Sequence, residues 1–199
     1  MNEVMRFALL GLGVGALYAF ASQGLIVIYR GTGVLNFSLG ATAIAGVFLQ
    51  YELQNDHGWP FFASAAMGVA LSALLGVLTH WVIMRPLQRK RASTLVQVLA
   101  TLGVLITIQA GVVIRYGSNP RQVDSWLPTD RVTLWGDVSI TVDRLILLGI
   151  GSASAVLLWL LYRSTQFGLE TEAVSESERS AAAVGVSPNR VAVLNWGLG

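Results

Sequence analysis

The polar side chains that could do chemistry inside the apolar runs of this sequence are uncharged amides and hydroxyls. They are Gln23, Asn36, Ser38, Thr101 and Gln109. An unpaired amide or hydroxyl is costly in hydrocarbon, so we expect these groups to face protein or a water-lined path. Such a path suits a neutral or zwitterionic solute and gives no support to a proton relay. The alternative is that each group makes a hydrogen bond between helices and contacts no solute.

The sequence offers no evident metal centre or catalytic cluster. It has no cysteine and two histidines, His57 and His80, which are far apart in the chain. An integral-membrane enzyme would need acid, base, nucleophile or metal groups gathered near one membrane face. We therefore expect neither an enzyme nor a bound cofactor or metal.

One glycine pattern has a nucleotide interpretation and a packing interpretation. Residues Gly11–Ala16 match the dinucleotide pattern G-x-G-x-x-A, but no strand precedes them and they lie in an apolar run of lipid length. Gly11, Gly15 and Ala19 would share one helix face, which favours close helix packing instead. The sequence has no G-x-x-x-x-G-K-[ST] loop, so any nucleotide hydrolysis would belong to another chain.

The elements that must hold these residues are apolar runs long enough to cross a bilayer. Hydrophobic residues make up 54% of the 199 positions and charged residues 12%, about half the roughly 25% of soluble domains. We predict an all-α fold, a polytopic transmembrane helical bundle. A sixth run stops at Gly199, so we interpret residues 1–199 as a single, incomplete membrane domain. The predicted spans are Phe7–Tyr29, Val34–Tyr51, Pro60–Met84, Leu95–Ile114, Leu145–Tyr162 and a last one that begins near Val191.

The first apolar run could also be a secretory signal peptide. Ala19-Phe20-Ala21 resembles a cleavage site of the A-x-A type. However, Met1–Arg6 carries no net positive charge, and the apolar run continues to Tyr29. The sequence therefore favours a membrane span.

The distribution of Lys and Arg predicts the orientation. Arg85–Arg91 is the densest basic cluster, and short cytoplasmic loops are the basic ones. Placing this cluster inside puts 8 Lys and Arg inside and 5 outside, with 4 acidic residues inside and 7 outside. The N-terminus and an external loop at 116–142 then lie outside, and a polar segment at 164–187 lies in the cytoplasm.

Two local patterns predict departures from plain helix. The glycine-rich stretch Gly31–Gly33 should break the second span near Asn36 and Ser38 and expose backbone groups. In the external loop, alternating residues on both sides of Gly136-Asp137 predict a small external β-hairpin.

The segment 164–187 has the composition of a short helix that docks on a partner. Ser175 and Glu178 fit a capping box, and Gly185 is a candidate C-cap. The alternative is an ordinary solvated loop helix. The residues expected to make the docking contact are Glu176, Glu178, Arg179, Ala182, Ala183 and Gly185.

Several segments, in this order along nearly the whole chain, carry a family resemblance. They are Gly11–Tyr29 with Gly31–Gly40, Arg85–Leu87, Ala100–Gly103, the hairpin leading into Asp143–Leu145, and Thr165–Gly168 followed by Ala173–Val186. Together they resemble the branched-chain amino acid importer permeases of the ABC superfamily, the LivH-like kind, with a truncated C-terminus. One departure is Glu172, which stands where that family usually carries a basic residue.

The resemblance implies a permease subunit, multi-pass in a bacterial inner membrane, that moves branched-chain or related small amino acids. It implies several partners: cytoplasmic ATPase subunits, a second permease of the LivM-like kind, and a periplasmic or lipid-anchored solute-binding protein. The segment 164–187 would be the coupling segment that docks on the ATPase. Alternatives are an ABC permease for urea or short amides, and an ATP-independent channel or secondary transporter, which would favour ionisable groups at membrane depth.

Overall fold

The computed structural model describes residues 2–118, 127–128, 130–135 and 138–199. Helices dominate these residues, as the long apolar runs predict. The helices are α1 (Asn2–Thr32), α2 (Leu39–Asn55), α3 (Phe61–Thr79), a π-helical segment (His80–Met84), α4 (Arg85–Arg89), α5 (Thr94–Tyr116), α6 (Val142–Ser164), α7 (Gln166–Glu176), α8 (Glu178–Ala183) and α9 (Pro188–Leu198). Two strands, β1 (Arg131–Trp135) and β2 (Val138–Thr141), lie between α5 and α6.

The chain divides into two compact units. Unit 1 comprises Met1–Gln23 and Arg121–Thr165, and unit 2 comprises Gly24–Pro120 and Gln166–Gly199. Unit 1 therefore holds most of α1, both strands and α6. Unit 2 holds the last part of α1 and the remaining helices.

Among the described residues, three helical stretches are long and apolar enough to cross a membrane, judged by length and composition. They are Phe61–Arg89, Thr94–Tyr116 and Val142–Ser164. They correspond to the predicted third, fourth and fifth spans. Helix α1 covers the predicted first span within its 31 residues, whereas α2 has 17 residues. Membrane crossing by α1, α2 and α9 stays a prediction.

Helices α2 and α3 pack closely in unit 2. A Cβ at Gly68 would lie 2.6 Å from the carbonyl oxygen of Gly46, so the two backbones approach as closely as glycine allows. The hydroxyl of Ser72 donates to the carbonyl of Thr42 across the same contact, at 3.0 Å. Small residues thus perform in this pair the packing role that their abundance indicates.

The interruption expected inside the second span lies ahead of α2. Helix α1 continues through Gly31 and ends at Thr32, where Gly33 takes a left-handed φ of 66° and closes the helix. Residues 33–38 are irregular, and α2 then runs without a break from Leu39 to Asn55. The expectation of a broken second span is therefore not supported, because the glycine signal marks a helix end.

The third span also continues further than predicted. Its helix passes Met84 through the π-helical segment and ends at Arg89, so the first part of the basic cluster is helical. Proline within a helix lacks an N–H and clashes with the carbonyl four residues earlier. The wider π-helical turn directly before Pro86 accommodates that ring.

The strands β1 and β2 pair antiparallel, with Arg131 opposite Thr141 and Val132 opposite Ile140. Residues 136–137, where the turn was predicted, lie outside the described residues. The Gly-Asp turn and the external position of these strands stay predictions. Strand β2 leads directly into α6 at Val142, whose backbone N–H donates to the carbonyl of Asp130 at 3.0 Å.

The polar segment 164–187 forms two helices where one was expected. Ser175 lies inside α7, and its hydroxyl donates to the carbonyl of Glu172. The N-cap of α8 is Ser177, whose Oγ accepts from the Ser180 N–H at 3.2 Å. The capping box at Ser175 is therefore wrong by two positions, because the sequence holds several serines that could cap.

Candidate functional site

Three of the predicted path residues come together in unit 2 around the irregular stretch before α2. Asn36, Ser38 and Thr101 are all buried, with at most 2% of each exposed. The Asn36 Oδ1 accepts from the backbone N–H of Ser38 at 3.0 Å and from its hydroxyl at 2.7 Å. We call these three residues the amide–hydroxyl cluster.

Thr101 connects α5 to this stretch. Its Oγ1 accepts from the backbone N–H of Phe37 at 3.2 Å and donates to the carbonyl of Val98 at 2.7 Å. A backbone donor that the end of α1 and the start of α2 leave free is thereby paired inside the protein. The Thr101 hydroxyl therefore makes hydrogen bonds within the protein, one of the two alternatives that the sequence had left open.

The other two predicted path residues lie elsewhere. In unit 1, the Gln23 amide nitrogen donates to the carbonyl of Gly151 at 3.1 Å, and its oxygen accepts from the hydroxyl of Ser154 at 2.8 Å. Gln23 thus bonds α1 to α6. Gln109 is exposed on α5.

The helix pair α7–α8 has one side anchored in unit 2. Ala181 and Val174 are buried against Val191 of α9, with Val186 packed on the same cluster. At the end of α8, Gly185 has a φ of 91°, and the N–H groups of Gly185 and Val186 donate to the carbonyls of Ala182 and Ala181. This pattern is a Schellman motif, so the C-cap predicted at Gly185 is confirmed.

The other side of this helix pair is exposed. The exposed residues at the α7–α8 junction are polar. Those that follow along α8 are small and apolar and include Val184, which is 78% exposed. We call this exposed set the α8 edge. Its members are Glu176, Glu178, Arg179, Ala182, Ala183, Val184 and Gly185.

Two clefts adjoin the α7–α8 pair. One, of about 520 Å³, lies between Tyr29–Gly33 at the end of α1 and Val174–Glu178. The other, of about 290 Å³, is lined by Arg85 and Arg89 together with Glu178 and part of α9. Glu178 lines both clefts, so this end of unit 2 carries acidic and basic groups close together.

Sequence reasoning missed a second buried polar pair, Thr171 of α7 and Asn195 of α9. Both are buried, and the Asn195 amide nitrogen donates to the Thr171 hydroxyl at 3.3 Å. The available signal was the same one that identified Asn36: an amide in an apolar run, here after Val191. His80 is likewise buried, and its ring centroid lies 6.0 Å from that of Trp196.

Apolar helices of membrane-spanning length, with uncharged polar groups buried among the described residues, are typical of a membrane protein, and the family match makes this one a transport component. The family described as "Branched-chain amino acid transport system / permease component" matches residues 7–199. The chain belongs to this permease family, and the family resemblance found in the sequence is confirmed.

Curated relatives carry the same description at low identity. The chain is 25% identical over 189 residues to a probable branched-chain amino acid transport permease protein LivH of Methanocaldococcus jannaschii, covering 90% of the chain and 58% of the relative. It is 22% identical over 200 residues to the high-affinity branched-chain amino acid transport system permease protein LivH of Escherichia coli, covering 95% and 64%.

The corresponding protein BraD of Pseudomonas aeruginosa is 20% identical over 200 residues, again with 95% and 64% coverage. The chain thus spans about three fifths of the length of these relatives. No solved structure gives a significant match to the chain.

Proposed function

We propose that this chain is a permease subunit of an ABC importer that moves branched-chain or related small amino acids across the inner membrane. A separate ATPase drives it, and a second permease and an external solute-binding protein complete the importer. The family match over residues 7–199 and the names of the relatives support this proposal. Uncharged donors and acceptors in the described spans suit a zwitterionic solute whose two charges cancel.

The observation that carries the proposal furthest is the α8 edge. The opposite side of the α7–α8 pair is anchored by Ala181 and Val174, and a Schellman motif ends α8 at Gly185. A short helix held in this way presents small side chains that a groove on another protein can accept at close range. Glu176, Glu178 and Arg179 supply charges that orient the contact. We propose that this edge docks on the ATPase and that it lies in the cytoplasm.

The amide–hydroxyl cluster is the proposed inner part of the translocation path. Asn36 and Ser38 lie within the irregular residues 33–38, and the backbone of this stretch depends on side-chain partners such as Thr101. A small movement at this junction would free amide and hydroxyl groups for a passing solute. Gln23 on α1 and Gln109 on α5 remain proposed path residues.

Replacement of Gly185 by Arg tests the docking. A bulky charge at the end of the α8 edge would block a close-fitting groove, so we expect Gly185→Arg to lose both ATPase co-purification and uptake. Because φ at Gly185 is 91°, any side chain there strains the backbone. Gly185→Ala carries that strain without the bulk and is the matched control.

A second variant tests the same contact without backbone strain. Ala183 is exposed at the end of a regular helix, so Ala183→Arg adds the charge without a left-handed φ. We expect the same loss of ATPase binding. Full uptake and full ATPase stimulation in both arginine variants would contradict the docking assignment.

A further inference from the structure

Helix α9 is the most enclosed helix of the described part of unit 2. Along 11 residues it buries Val191, Ala192, Asn195 and Trp196, and Val191 and Asn195 have no exposed surface. It contacts α1, α3 and α7. A helix in this position takes part in any relative movement of its neighbours.

Glycines set the contacts of α9 with α1. A Cβ at Gly31 would lie 2.6 Å from the Cβ, Cγ and Nδ2 atoms of Asn195, so the Asn195 side chain occupies the space that a larger residue would fill. A Cβ at Gly24 would lie 2.7 Å from the carbonyl oxygen of Gly199. The end of α1 therefore meets α9 through the Asn195 side chain at Gly31 and backbone to backbone at Gly24, which leaves little space to absorb a displacement.

The contact of α9 with α3 has the same character. A Cβ at Gly76 would overlap the carbonyl oxygen of Trp196, and one at Gly197 would lie 3.1 Å from the Cγ2 of Val77. Movement of α9 toward α1 or α3 would therefore displace that helix, because close-packed contacts of this kind resist compression.

Beside the apolar contact of Val174 with Val191, a polar contact links α9 to α7. The Asn195 Nδ2 donates to the Thr171 Oγ1 at 3.3 Å and to the carbonyl of Val191 at 2.8 Å. The Thr171 hydroxyl donates to the carbonyl of Phe167 at 2.8 Å, which leaves its oxygen to accept from Asn195. Apolar contacts tolerate sliding, whereas a buried hydrogen bond with both groups fixed holds one register.

We propose that the Thr171–Asn195 hydrogen bond is the positioning contact that transmits movement of the α7–α8 pair to α9, and through its glycine contacts to α1 and α3. This inference rests on the proposed docking of the α8 edge on an ATPase. Thr171 and Asn195 touch neither the solute nor the ATPase in this account. Their role is to keep the docked helix pair and the membrane helices moving together.

Thr171→Val tests the link, because it removes the hydroxyl and keeps the shape. The transporter complex is reconstituted in proteoliposomes, and solute uptake and ATP hydrolysis are measured on the same preparation. We expect the ATPase to co-purify as with the unchanged chain, while solute moved per ATP falls about tenfold, the scale of losing one buried hydrogen bond. Thr171→Ser keeps the hydroxyl and should restore the ratio.

Thr79→Val is the matched control. Thr79 is also buried, and its hydroxyl donates to Leu75 of its own helix at 2.7 Å. We expect this variant to leave the solute-to-ATP ratio unchanged.

An unchanged ratio in Thr171→Val would overturn the inference, and so would equal losses in Thr171→Val and Thr171→Ser. Loss of ATPase co-purification in Thr171→Val would also overturn it, since the pair would then only hold the docking helix in shape. Failure of the unchanged chain to bind any ATPase would instead contradict the proposed function, and this inference with it.

Discussion

At the scale of single residues, uncharged groups are buried in places where their partners are other parts of the chain. Asn36 pairs with Ser38, and Thr101 pairs with the backbone N–H of Phe37 between them. Gln23 pairs with α6 in unit 1. On the proposed path, a solute would compete for the same donors and acceptors.

Thr101→Val should destabilise the protein. The substitution keeps the side-chain shape but leaves the partly buried N–H of Phe37 without this acceptor, which costs about 1 kcal/mol. Thr101→Ser retains the oxygen and should lose much less. Thermal unfolding in detergent measures the difference, and equal unfolding temperatures for the two variants would show that the Phe37 contact is unimportant.

The sequence singled out Asn36, Ser38 and Thr101, which are buried, but not their partners, and Gln109, singled out with them, is exposed. Thr101 follows Phe37 by 64 positions, and Asn195 follows Thr171 by 24. Such pairs depend on how helices pack, which periodicity along one helix does not specify. Thr171 lay in a segment interpreted for its exposed contacts, so its buried hydroxyl carried no recognisable signal.

At the scale of elements, the sequence predicted long apolar helices better than it predicted their ends. The stretches Phe61–Arg89, Thr94–Tyr116 and Val142–Ser164 contain the predicted third, fourth and fifth spans almost entirely. Ends were less certain because glycine, proline and serine each have several roles. Gly31 serves a close contact, Gly33 ends a helix, and Pro86 is accommodated after a π-helical turn.

Ser177→Ala should destabilise the α8 helix. Its Oγ accepts from the backbone N–H of Ser180, and removal of an N-cap costs about 1 kcal/mol. Ser175→Ala is the matched control, since the Ser175 hydroxyl bonds only the carbonyl of Glu172 within α7. Hydrogen exchange of the α8 amides reports the effect. Greater exchange in Ser175→Ala than in Ser177→Ala would contradict the observed cap.

At the scale of the whole molecule, membership of the permease family supports the proposed transport activity. The family is shown by a match over residues 7–199. In the proposed mechanism, movement driven by ATP would reach the solute through three features of the chain. They are the α8 edge, the Thr171–Asn195 contact and the amide–hydroxyl cluster. Glu172 is exposed on α7, four residues before Glu176 of the proposed docking surface. Its negative charge would favour an ATPase surface with a basic group at that point.

The most direct test of the central claim is uptake of labelled leucine into proteoliposomes that hold the complete transporter, with its solute-binding protein outside. We expect uptake that requires ATP on the ATPase side, that unlabelled isoleucine and valine inhibit, and that excess urea and acetamide leave unchanged. Leucine uptake that proceeds equally without ATP, or inhibition by urea or acetamide in place of the amino acids, would contradict the account.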